Sequence, residues 1–166
     1  GVIELKRPKV HVEEAIRQNL DNQKPEFIEH FFTTNQIVMA GNYTQGLKYG
    51  VIQTPEKYFL QWKKRTAEKE QFKPLEMGIR EICNKERFLE LIHDFIVFDS
   101  GIKKICRHNQ YFGVKKSQDR VRKREGGIIW HTQGSGKSLT MVWLAKWIRE
   151  NIKPNSRVLI ITDRVE

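Results

Sequence analysis

The chain has 166 residues, 39% of them hydrophobic and 30% charged, with a formal net charge of +10. That length suits one domain or two small pieces around an adequate core, and the excess of Lys and Arg points to a polyanionic partner. Two distant cysteines, no apolar run of about 18 residues and no secretory signal argue against a disulfide scaffold, a cysteine metal site and a membrane span, so a cytoplasmic protein is expected.

Val2 to Pro8 alternates as a strand, with Ile3 and Leu5 on one side and Glu4 and Lys6 on the other. Pro8 cannot donate to a ladder and ends it. A carboxylate and an ammonium two residues apart on one face are what metal-dependent phosphodiester hydrolysis uses: Glu4 would hold Mg²⁺, and Lys6 would position the attacking water and offset developing charge. A solvated ion pair has the same spacing, so the pattern alone leaves both readings open. Val12 to Asn22 is the next expected helix, with Val12, Ala15, Ile16 and Leu20 as its apolar stripe. Gln18 and Asn22 lie one turn apart beside that stripe, either facing Glu4 and Lys6 or merely solvated.

Two further strands are expected, Gln36 to Asn42 and Lys48 to Gln53, joined as a hairpin by the turn Asn42 to Gly46. Lys57 to Trp62 reads as a short aromatic helical turn. Lys63 to Lys73 is polar and mixed in charge and ends at Pro74, and the domain junction is expected there. Arg87 to Phe98 carries Phe88, Leu91, Ile92, Phe95 and Ile96 at helical spacing. Lys103 to Val121 is basic, and Lys115 to Lys123 suits either a DNA-facing surface or an ordinary solvated helix face.

Gly126 to Trp130 reads as an apolar strand that runs into His131-Thr132-Gln133-Gly134-Ser135-Gly136-Lys137-Ser138 and then a helix, Leu139 to Glu150, expected to be nearly buried against a sheet. Strand, glycine-bearing loop, Lys-Ser and helix form the layout that cradles a polyphosphate. Gly134 and Gly136 let the backbone approach, Lys137 would reach the β- and γ-phosphates, and Ser138 would offer its hydroxyl to Mg²⁺. The general pattern has a glycine where His131 stands. Arg157 to Arg164 is a second apolar strand, so a parallel βαβ unit is expected. Both ends look cut, and a fragment of a longer protein is expected.

This order of pieces resembles the restriction (R) subunit of type I restriction-modification enzymes, which joins a PD-(D/E)xK nuclease to a superfamily-2 helicase-like translocase. Val-Ile-Glu-Leu-Lys-Arg-Pro resembles the nuclease's central motif, with Glu4 and Lys6 in its catalytic positions and Gln18 at the glutamine of a Gln-x-x-x-Tyr motif whose tyrosine is Asn22 here. His131-Thr132 before the glycines is a habit of the same family, and Gln110 falls where an upstream glutamine reads adenine. The resemblance implies an α/β fold: the C-terminal part of a restriction-endonuclease-like domain at 1–64, a linker at 65–84, and the start of a P-loop RecA-like motor domain at 85–166. It implies catalysis by Glu4, Lys6 and Gln18. ATP would be bound by Gln110, Thr132, Gln133, Gly134, Ser135, Gly136, Lys137 and Ser138, and Mg²⁺ held at Glu4 and Ser138. The partners implied are duplex DNA, contacted through its backbone, and methyltransferase and specificity subunits, with no membrane. A metal-binding aspartate before Glu4 and the motor's acidic box are expected outside these 166 residues. The alternative is a motor-only DNA-dependent ATPase with a silent nuclease-like domain; a third reading is a nucleotide-binding module without turnover.

Overall fold

The computed structural model describes residues 1–63, 72–152 and 156–161. Its fold is mixed α/β and falls into two compact units, Gly1–His108 and Asn109–Glu166.

The first unit is built on a four-stranded sheet ordered β1 (Val2–Lys6), β2 (Val38–Asn42), β3 (Gly46–Gly50), β4 (Leu60–Gln61). β1 runs parallel to β2, and the remaining pairs are antiparallel. The expected first helix forms as α1 (Val12–Asn22), between the two parallel strands. Val12, Ala15 and Ile16 from α1 pack with Val38 and Ala40 from β2, Phe32 from the short α2 (Glu29–Phe32), and Phe59. These apolar side chains leave water together, which is the main force seating α1 on the sheet. The expected hairpin is present, and Gly46 closes its turn at φ +92°, a conformation L side chains rarely adopt.

Polar side chains set the path between β1 and α1. Asn42 Nδ2 donates to the Val10 carbonyl at 2.7 Å and to Gln45 Oε1 at 2.8 Å. Gln45 Oε1 also accepts from the Val12 backbone N–H at 2.8 Å, so a glutamine from the β2–β3 turn satisfies an orphan donor at the start of α1. Thr44 Oγ1 donates to the Pro8 carbonyl at 3.2 Å.

The other face carries α3 (Pro74–Ile82), α4 (Lys85–Asp94) and the hairpin β5 (Ile96–Asp99)–β6 (Ile102–Ile105). The buried Tyr49 hydroxyl donates to the Cys106 carbonyl at 2.9 Å, and burial pushes its pKa well above the usual value. Two expectations change here. The helix expected to reach Phe98 stops at Asp94, because Ile96-Val97-Phe98 pairs as a strand around Ser100 and Gly101, both at positive φ. Of the linker expected at 65–84, residues 65–71 lie outside the described residues, and Pro74–Ile82 form helix α3. Gly78 lets that helix meet β3 closely: a Cβ there would fall 2.6 Å from Leu47 Cβ. Gly78→Ala is therefore expected to lower stability by about 1–3 kcal/mol through overpacking, despite alanine's helix advantage of about 1 kcal/mol. A urea titration of the two proteins checks it.

The second unit contains α6 (Lys137–Asn151) and nearly all of α5 (His108–Arg122), with Arg122 stacked over Trp147 at 4.9 Å. Thr140, Trp143 and Trp147 are its buried face in α6, whereas Val142 is 45% exposed, so that helix is less enclosed than expected. Residues 126–130 and 157–161 pair with no strand among the described residues, and 162–164 lie outside them. Ile128 and Leu159 are largely exposed. The expected parallel βαβ unit is thus not formed among the described residues. A strand apolar on both faces needs ladder partners and covering helices, and the described part of this unit offers helices alone.

Candidate functional site

Among the described residues, the side chains singled out from the sequence fall into two candidate constellations, one in each unit. In the first, the alternation of β1 places Glu4 and Lys6 on the face covered by α1, in line with Val2 of the core. Ile3 and Leu5 point to the opposite face and are the exposed pair. That reverses the usual arrangement, since the ionisable residues occupy the sheltered side. Lys6 Nζ donates to Glu4 Oε1 at 3.3 Å and also to Gln18 Oε1 on α1. The Lys6 and Glu4 side chains retain only 22% and 26% of their exposure, so the pair is sheltered yet reachable. Asn22, one turn beyond Gln18, is half-buried, and its backbone carbonyl accepts from the Ile28 N–H at 3.3 Å.

Strand register adds residues that spacing did not reveal. Glu4 lies opposite Ala40, and Ala40 opposite Lys48, so the two charged residues sit on one row of the α1-facing side. Lys48 Nζ donates to Glu13 Oε1 at 2.7 Å, and this hydrogen bond holds the Glu13 carboxyl below its ordinary pKa. Asn19 is buried and donates to the Met39 carbonyl at 3.4 Å, tying α1 to β2 one residue after Gln18.

In the second unit the loop bends through Gly134 at φ +72° and Gly136 at φ +82°. Gly136 is the N-cap of α6, and a Cβ on it would also come 2.3 Å from the Gln110 amide nitrogen. Its carbonyl accepts from Gln110 Nε2 at 2.8 Å and from the Thr140 N–H at 3.2 Å. Gln110 is thus buried in α5 and joined to the loop. Lys137 Nζ donates to the carbonyls of His131 and Thr132, each at 3.4 Å. Thr132, Gln133 and Ser138 are exposed, and the Ser135 N–H closes a turn on the Thr132 carbonyl at 3.3 Å.

Both places suit the groups expected of them. The loop combines two left-handed glycines, a helix N-terminus with its unsatisfied N–H groups, and a buried Ser135 Oγ that has no partner among the described residues. Groups of this kind are able to hold a polyphosphate. At Glu4, one carboxylate and an amide oxygen are hard donors of the kind Mg²⁺ takes alongside water. No group of three or more His, Cys, Asp or Glu that could hold a metal is found among the described residues. No helix among them is long and apolar enough to cross a membrane.

Comparison with known proteins divides the chain in the same order. Residues 1–57 match the family described as type I restriction enzyme R protein N terminus, and residues 109–166 match the SWI2/SNF2 ATPase family. The type I restriction enzyme HindI endonuclease subunit of Haemophilus influenzae is 27% identical over 183 residues, covering 98% of this chain and 17% of that protein. Two proteins of Methanocaldococcus jannaschii, named as the MjaIXP and MjaVIIP type I restriction enzyme endonuclease subunits, are 36% and 33% identical over 103 and 100 residues. They cover 55% and 51% of this chain, and 10% and 9% of their own lengths. The chain spans 9% to 17% of the length of these relatives. With an R protein N-terminal segment followed by a SWI2/SNF2 ATPase segment, the chain resembles the restriction subunit of type I restriction-modification enzymes.

Proposed function

We propose that this chain is part of a protein that hydrolyses ATP to draw duplex DNA past itself and then cuts it with a Mg²⁺-dependent nuclease. The observation that supports this most is a single ammonium, Lys6, shared by the Glu4 carboxylate and the Gln18 amide oxygen on the sheltered face of β1. Glu4 would hold Mg²⁺, which when bound supplies Lewis acidity to a scissile phosphate. Lys6 would orient the attacking water and offset the charge that develops. Gln18, through its oxygen, keeps the Lys6 ammonium aimed at that point.

Residues 132–138 would bind the ATP phosphates, with the Lys137 ammonium transferring from the loop carbonyls to the β- and γ-phosphates and Ser138 holding Mg²⁺. Gln110 would read adenine. DNA would be gripped through its backbone, which gives position without sequence choice. Target choice would belong to methyltransferase and specificity subunits in a cytoplasmic complex.

The test uses the intact protein with its partner subunits and a circular duplex carrying their target. Linear product is expected only when ATP and Mg²⁺ are both present. DNA-stimulated ATP hydrolysis without any cutting would instead favour the motor-only reading, in which the nuclease-like part is silent.

A further inference from the structure

His131 stands where the phosphate-loop pattern has its first glycine, and α5 carries a glycine, Gly113, directly beneath the imidazole. A Cβ on Gly113 would lie 3.3 Å from His131 Cε1 and 3.4 Å from Nε2, tighter than ordinary contact. His131 Nδ1 is buried and has no hydrogen-bond partner among the described residues, so the fit of the ring is one of shape. Glycine is also a poor residue for the interior of a helix, and a position that retains it needs a reason such as close approach.

One turn earlier on the same face of α5, Gln110 Nε2 donates to the Gly136 carbonyl at 2.8 Å. Helix α5 therefore meets the loop at both of its ends, at residue 131 by packing and at residue 136 by a hydrogen bond. Between them, Lys137 rests on the carbonyls of His131 and Thr132. The ring that Gly113 accommodates and the first carbonyl that seats the Lys137 ammonium belong to the same residue, so a shift of the ring carried to its backbone reaches Lys137.

We propose that Gly113 and His131 are a matched positioning pair: the space given up at the first loop position is recovered in α5, and the pair sets the height of the loop for a nucleotide's phosphates. This rests on reading residues 132–138 as a nucleotide site. Neither residue touches the reacting atoms; both act through the loop backbone.

The experiment is a fluorescence titration of the intact protein with a labelled ADP and Mg²⁺, comparing wild type, Gly113→Ala, His131→Gly and the double variant. Gly113→Ala is expected to weaken binding about tenfold, ~1.4 kcal/mol. Its Tm should stay level or rise, because alanine favours the helix. The double variant should bind within about twofold of His131→Gly, since the glycine at 131 removes the clash; a twofold difference is under half of that tenfold loss. Wild-type affinity in Gly113→Ala would overturn the pairing alone. So would a loss that His131→Gly fails to rescue, or one accompanied by a fallen Tm. A wild-type protein that binds no nucleotide would overturn the nucleotide site itself and the pairing with it.

Discussion

Lys6→Ala in the intact protein is expected to reduce DNA cleavage by about 10²- to 10³-fold, the scale lost when one preorganised stabilising group is removed from a reacting centre. ATP hydrolysis should continue. Lys6 is the common donor to Glu4 and Gln18, so its loss removes the positive charge and also releases both acceptors from one another. As a source of stability, however, a partly exposed ion pair is worth only about 0–1 kcal/mol, so the variant should remain folded. A large loss of cutting with little loss of stability is what a catalytic lysine gives and a solvated ion pair does not. Gel assay of cleavage beside a phosphate-release assay measures both, and unchanged cutting would remove Glu4 and Lys6 from the site.

Lys137→Ala is expected to weaken nucleotide binding by roughly 10- to 100-fold, equivalent to one charge-assisted hydrogen bond of about 1.5–3 kcal/mol. The side chain is exposed and, among the described residues, bonded to two loop carbonyls at 3.4 Å, so its removal costs the fold little. Titration with a labelled nucleotide reads the change directly. Affinity equal to wild type would mean that residues 132–138 do not hold phosphates.

Much of the first constellation was legible because each piece obeys a local rule. Alternation in β1 is enough to put Glu4 and Lys6 on one face, and the apolar stripe of α1 locates Gln18 beside it. The turn at 42–46 was visible in its own glycine and asparagine. What local rules miss is register. Lys48 and Glu13 join the neighbourhood only because β2 pairs with β3 in one alignment, which places Lys48 opposite Ala40 and so in line with Glu4. Gln45 capping α1 across 33 residues is equally non-local.

Other differences come from ambiguous patterns. Phe95 and Ile96 extend a helical spacing, yet Phe95 caps α4 and Ile96 begins a strand that the Ser100-Gly101 turn closes into a hairpin. Pro74 marked a boundary, and it is the first residue of α3, where proline's missing N–H costs nothing. In the second unit the glycines and Lys-Ser announced the loop, and the family resemblance accounted for His131 in place of the first glycine; what the sequence did not show is that Gly113 lies against its ring. Apolar runs at 126–130 and 157–161 express a capacity for strands that requires neighbours to be realised.

The most direct measurement follows ATP hydrolysis and cleavage of one circular duplex together, in wild type, Lys6→Ala and Lys137→Ala, with partner subunits present. The account predicts that wild type does both, Lys6→Ala hydrolyses ATP without cutting, and Lys137→Ala does neither. Cutting by Lys6→Ala at the wild-type rate, or ATP hydrolysis undiminished in Lys137→Ala, would contradict it.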